Sequence, residues 1–370
     1  MGERQMGRWN SKTVRVGALC LGLVLMAALI AACGGSATTT TSGAGNATTT
    51  SVGNATTTSA PADTTTSVAA APTKMRVLIS SPAMYPFYEV YVAKAQGFFS
   101  SRNLDVTISE VDGAEGTITS FASGQGDIMQ GDITTLNPKT VSQIKPVMFY
   151  MFMTSIFTVA VPDWSAIQSP KDLAGKVVAV NTEQDPGMSL IKTIELKFGI
   201  TIKPLIVVEA AQALAALDRG DCVAYASSLT GVARIEAAGT KMRTIIPQDM
   251  VDASGGFGYW ATRDFMNAHT DAMKAFVAGL QEARAYIADD PQKLVDWANS
   301  QTPIPAAEMA FRKALSAAVI SIRPKNVTPV GSITPSLWQL WWDTLVANKT
   351  IDPTVMGAST DWYTNDFFAK

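Results

Sequence analysis

The residues with the most chemical potential fall in short clusters, each directly behind an apolar run. The first cluster holds Ser80, Ser81, Met84, Tyr85, Phe87, Tyr88 and Glu89. Further along come Asp132 and Thr134, then Thr154 and Ser155, then Asn181, Thr182, Glu183 and Gly187, then Ser227 and Ser228, and finally Phe257 and Tyr259. Aromatic rings in such clusters stack on flat or apolar ligand bodies, and hydroxyls, amides and carboxylates orient the polar end. Several of these residues have a second use. Tyr88 and Tyr91 share a helical face with Val92 and Ala95, the pattern of a core, and Asp132 serves equally well as a helix N-cap. Pro186 and Gly187 open a helix whose first N–H groups suit an oxyanion or a carbonyl. The clusters contain Glu89, Asp132, Glu183 and Asp185 but no Arg or Lys, so a bound anion would meet four carboxylates. That balance favours a flat, neutral or weakly cationic organic ligand over an anion.

The same inventory argues against catalysis. The single histidine, His269, falls at a surface helix start with no cysteine nearby, so neither a metal set nor a nucleophile with a His partner can be assembled. No Gly-x-Ser-x-Gly elbow occurs, and no cofactor or metal is expected.

The elements that must hold these clusters alternate. Predicted strands at 75–79, 105–110, 127–130, 176–180, 204–208 and 222–226 are interleaved with predicted helices at 87–96, 116–123, 134–141, 187–198, 210–218 and 229–238. Such alternation implies parallel sheets covered on both faces. The clusters then sit at carboxyl ends of strands, where open α/β sheets bind ligands. After residue 255 comes one more strand, and the remainder is helical. The apolar run at 145–162 and the return through 256–261 are natural crossings between two lobes, 75–161 plus 257–370 and 162–256, with a hinge between them.

The first 32 residues have the form of a secretory signal: Arg4, Arg8, Lys12 and Arg15 precede an uncharged apolar stretch from 16 to 32. Small residues then lead into Cys33 and Gly34, which looks like a bacterial lipobox and predicts lipidation of Cys33. Cys20 would leave with the signal, so Cys222 alone stays in the body and no internal disulfide can form. Removing residues 1–32 takes away four basic and one acidic residue, leaving 25 against 30, which gives no reason to expect nucleic acid. Residues 33–74, nearly all Thr, Ala, Gly and Ser, offer too few apolar groups to fold and read as a disordered tether.

Four stretches carry a resemblance. AKAQGFF at 93–99 followed by LDV at 104–106, FASGQGDI at 121–128, SPKDLAGKV at 169–177 and AALDRGD at 215–221 occur in an order similar to one family. It is the family of extracytoplasmic solute-binding proteins of ABC importers that take nitrate, sulfonates, taurine and thiamine-pyrimidine compounds. The resemblance implies an α/β, two-lobed periplasmic-binding-protein fold of type II, with two parallel-rich sheets flanked by helices and a two-crossover hinge. It also implies a monomer that is anchored by lipid to the bacterial cell membrane, captures a small-molecule solute and passes it to an ABC permease subunit. The family's fold is shared with a thiamine-pyrimidine synthase that consumes its own histidine and carries a cysteine-rich iron-binding stretch, neither of which has a counterpart here. Another class of reading is a tethered sensory or interaction module, for which Trp338, Trp341 and Trp342 on one helix face could form a surface or simply dock on their own lobe.

Overall fold

The computed structural model describes residues 71–80, 84–133, 144–183, 186–247, 250, 255–324, 327–347 and 349–369. Within them β1 (Thr73–Ser80), β2 (Leu104–Val111), β3 (Ile128–Asp132), β4 (Pro146–Thr154) and β10 (Gly256–Thr262) form one sheet in the order β2-β1-β3-β10-β4. A second sheet of β5 (Phe157–Pro162), β6 (Val177–Val180), β7 (Lys203–Ile206), β8 (Ala224–Ser228) and β9 (Met242–Thr244) has the order β7-β6-β8-β5-β9. The two share a plan: three parallel strands, then one strand that runs against its neighbours, β10 in the first sheet and β5 in the second.

The apolar run at 145–162 resolves into two strands. β4 joins the first sheet and β5 the second, so the chain passes between sheets at Ser155 and Ile156, ahead of the boundary expected at residue 161. All nine residues of β4 are buried although it ends the sheet order. Its outer edge is covered by the chain itself: Met151 N donates to the Gly331 carbonyl at 2.8 Å and Thr364 N to the Met148 carbonyl at 2.9 Å. Covering an edge in this way satisfies its backbone and blocks strand addition. No described helix is long and apolar enough to cross a membrane.

Helices α1 (Tyr88–Ala95), α2 (Gly113–Ala122), α3 (Pro186–Phe198), α4 (Ala210–Arg219) and α5 (Leu229–Ala237) connect the parallel strands or follow them. The helical remainder contains α6 (Arg263–Ala268), α7 (Thr270–Ile287), α8 (Pro291–Gln301), α9 (Met309–Ser321) and α10 (Pro335–Ala347). One face of the first sheet packs on α1, α7, α8 and α9 through a core that includes the stacked pair Phe99 and Phe276, 4.8 Å between centroids. On the other face α10 buries Trp338, Trp341 and Trp342 beside Trp260, Met129 and Met151. The tryptophan face therefore packs on the chain's own body and leaves no indole surface for a partner. The predicted helix at 134–141 lies outside the described residues.

Candidate functional site

Strand register decides which ends meet. In the first sheet Leu78 pairs with Met129, Asp132 with Phe257 and Gly256 with Thr154. The last residues of β1, β3 and β4 and the first of β10 therefore lie along one edge. In the second sheet Val180 pairs with Ala226 and Phe157 with Ser228, so Asn181, Ser228 and the start of β5 share an edge as well. Thr154 ends one edge and Phe157 begins the other, and three residues of chain span at most about 10 Å. The two sets of strand ends thus meet around a single crossing, and Leu229 N ties α5 to it by donating to the Ile156 carbonyl at 2.8 Å.

Tyr85, Phe87 and Phe257 form an aromatic wall near the first edge, buried in the same apolar cluster as the sheet's core. The Phe87 ring lies 6.5 Å from Phe257 and 5.6 Å, edge-on, from Phe152. Tyr85 is 4% exposed and its hydroxyl has no hydrogen-bond partner among the described residues. Burial pushes that phenol upward in pKa, with the Arg312 charge opposing. Met84 is half-buried against the same core.

Three expected ligand contacts turn out to belong to the interior. Helix α1 starts at Tyr88 and directs that ring inward, where it lies 4.6 Å from the Arg323 guanidinium. Tyr259 packs between Phe152 at 4.9 Å and Phe276 at 6.0 Å, because β10 has core on both faces and its fourth residue already lies beneath the edge. Glu89 is fully buried and committed: Arg323 Nη1 donates to Oε1 at 3.0 Å and Oε2 at 2.9 Å. Arg323 also donates to the carbonyls of Phe152 at 2.6 Å and Pro86 at 2.7 Å, and so grips the backbone of the wall. Burial drives the Glu89 carboxyl upward in pKa and Arg323 pulls it back.

The remaining expected residues divide by what their side chains already do. Thr154 Oγ1 donates to the Ile322 carbonyl at 3.3 Å. Tyr225 donates to Asn181 Oδ1 at 2.6 Å, and Ser228 caps α5 by accepting from Gly231 N at 3.4 Å. Ser227 and Gly187 are buried, Asp132 is half-buried, and Thr182 and Glu183 are exposed. Ser81, Thr134 and Cys33 lie outside the described residues.

Sequence reasoning missed three participants. Gln130 is buried in the middle of β3 and its Oε1 accepts from both the N–H and the hydroxyl of Ser80. Arg323 balances Glu89, and Arg312 stands 5.4 Å from the Tyr85 ring. A glutamate inside an apolar helix does signal that a cation must reach it, but nothing local says which one. With Glu89 neutralised and Arg312 beside the wall, four uncompensated carboxylates no longer describe the edge, and the charge argument against an anion loses its main support.

His269 is exposed, 4.6 Å from the Phe265 ring, and among the described residues no three His, Cys, Asp or Glu side chains gather as metal ligands. Cys222 is a buried free thiol, pushed up in pKa by that burial.

No curated protein matches the chain. The family described as NMT1/THI5 like matches residues 86–294. Among solved structures, the periplasmic aliphatic sulphonate binding protein SsuA of Escherichia coli aligns with a TM-score of 0.60 at 16% identity, covering 77% of this chain and 96% of its own. The alkanesulfonate-binding protein SsuA of Xanthomonas axonopodis pv. citri, bound to MOPS, gives 0.54 at 16%, covering 80% and 100%. The periplasmic nitrate-binding protein NrtA of Synechocystis PCC 6803 gives 0.57 at 11%, covering 80% and 87%. The two mixed sheets flanked by helices share the type II periplasmic-binding-protein fold with these structures.

Proposed function

The chain belongs to the NMT1/THI5-like family, and from that premise we propose that it is an extracytoplasmic solute-binding protein that hands a small organic solute to an ABC importer. The observation that carries this reading is the aromatic wall of Tyr85, Phe87 and Phe257 near the edge where the two sheets' strand ends meet. The task is binding rather than catalysis: the two halves, 75–155 plus 257–370 and 156–256, close about the crossings on a solute, and a membrane permease recognises the closed form. Acylation of Cys33 after removal of residues 1–32 would anchor the protein to the cell membrane, with residues 33–74 as the tether.

Two solute classes fit the wall. A flat heterocycle such as a thiamine-precursor pyrimidine would stack on it. A sulfonate, taurine or nitrate is favoured by Arg312 beside Tyr85 and by the neutralised Glu89. A thermal-shift panel on the full chain with pyrimidines, taurine, alkanesulfonates and nitrate separates them, since a solute at a hundred times its Kd stabilises by about 2.7 kcal/mol. Stabilisation by one class alone identifies it, and a flat panel, with no solute found by mass spectrometry of the purified protein, would count against the whole reading.

Tyr85→Phe tests the wall directly. Removing one solute hydrogen bond should weaken the active compound by roughly 5- to 15-fold in calorimetric titration. The unliganded protein should be as stable or slightly more so, because an unpartnered buried hydroxyl is lost. Unchanged affinity would remove Tyr85 from the site.

A further inference from the structure

Helix α5 follows β8 of the second sheet, yet it packs on α9: Ala233 is fully buried in the same apolar cluster as Phe311 and Leu315, and Ala237 packs against that cluster. At the solvent-facing side of this contact the Arg234 guanidinium lies 3.7 Å from the centroid of the Phe311 ring, and its Nη1 reaches both Glu308 oxygens, at 3.3 and 3.4 Å. Arg312 Cζ is 5.2 Å from the same Phe311 ring and 5.4 Å from the Tyr85 ring, and Arg312 Nε is 4.0 Å from Glu308 Oε2. Two arginines from different halves therefore share one aromatic ring and one carboxylate, and the second of them sits beside the solute wall.

We propose that Arg234, Phe311, Glu308 and Arg312 form a clasp that holds α5 against α9 and couples this contact to Tyr85. The inference rests on the solute-binding reading for its purpose but not for its test. Each component is modest, because the ion pair is half-exposed and an exposed pair contributes little. The stacked guanidinium adds a comparable amount. What makes the cluster a coupling device is sharing: when α5 moves away, Glu308 is left to Arg312 alone, which redraws the charge beside Tyr85. Closing the halves then repositions the wall, and a solute that fixes the wall favours closure, since such coupling is reciprocal.

Hydrogen exchange on the full chain without any solute tests this. Arg234→Ala should speed exchange roughly fivefold in residues 229–237, in the first turn of 309–321 and in the peptide spanning 84–92. Arg312→Ala should do the same. In the double variant the increase should fall short of the product of the two singles, because both act through one contact. Faster exchange in residues 229–237 alone, no change anywhere, or fully multiplicative effects would overturn the clasp. Solute binding by the unaltered protein is decided separately by the thermal-shift panel, so either idea can fail without the other.

Discussion

Arg323→Ala should remove about 3–5 kcal/mol of stability, the usual loss when one partner of a buried ion pair is deleted. Both side chains are 0% exposed, so water cannot replace the guanidinium. The substitution strands the Glu89 carboxylate and takes a donor from the Phe152 and Pro86 carbonyls. For a body of this size the melting temperature should fall on the order of 10 °C, with a lower denaturant midpoint at unchanged slope. The pH dependence has a definite sign. Burial already raises the Glu89 pKa with Arg323 in place, and without Arg323 it rises further. A raised folded-state pKa favours the folded form at low pH and loses that advantage as pH rises. The deficit of the variant should therefore shrink as pH falls from neutrality toward the ordinary carboxylate range. Glu89→Leu combined with Arg323→Met removes both charges while filling similar space, and should recover most of the loss. A loss under about 1 kcal/mol for Arg323→Ala would mean that the carboxylate is not held as the geometry describes.

That pair also marks the limit of what could be read before folding. The alternation of β-branched runs with helical periodicity located the parallel strands and their helices, because each half-buried element imprints its own period locally. The aromatic cluster after β1 was legible as a strand-end feature for the same reason. Which aromatics face the edge was not. Phe257 and Tyr259 are two apart and both pack in the core, but one is at the sheet's end and the other lies two pairs deeper, beneath it. β10 runs between β3 and β4 with core on both faces, so no alternation of polarity separates those depths. The pairing of Glu89 with Arg323 spans 234 residues, and its partner arrives from the end of α9, where Arg323 looks like any arginine behind a helix. The short β9 was missed because its three residues are half-buried or exposed and carry little pattern. Charge counted over nearby loops was misleading for the same reason: the neutralising cations come from far along the chain.

Gly258→Ala should be the most damaging small substitution in β10. Its Cβ would press on the Tyr150 carbonyl oxygen and come within 2.7 Å of the Met148 sulfur and 2.9 Å of its methyl. A methionine tip can swing aside, but a carbonyl in the ladder between β10 and β4 cannot retreat without breaking pairs on either side. The ladder is already irregular here, with register shifts between Phe257 and Gly258 and between Tyr259 and Trp260. Both extra residues, Phe152 and Phe149, lie on β4, and Phe152 is the ring that Phe87 meets edge-on, so a shift at Gly258 is carried to the wall. Overpacking of this kind costs about 1–3 kcal/mol where neighbours can adjust, so a loss of about 3 kcal/mol or more is expected where one of them is backbone. The informative contrast is Gly124→Ala. Gly124 has a φ of +75° and open space around its Cβ, so its penalty is conformational alone, about 1–2 kcal/mol. Denaturant unfolding should rank Gly258→Ala well below Gly124→Ala in stability. Solute affinity measured at a temperature where both variants are folded should drop only for Gly258→Ala, because only that change is carried to the wall. Equal losses in the two variants would mean that the strand absorbs the methyl group, and unchanged affinity in Gly258→Ala would mean that the shift does not reach the wall.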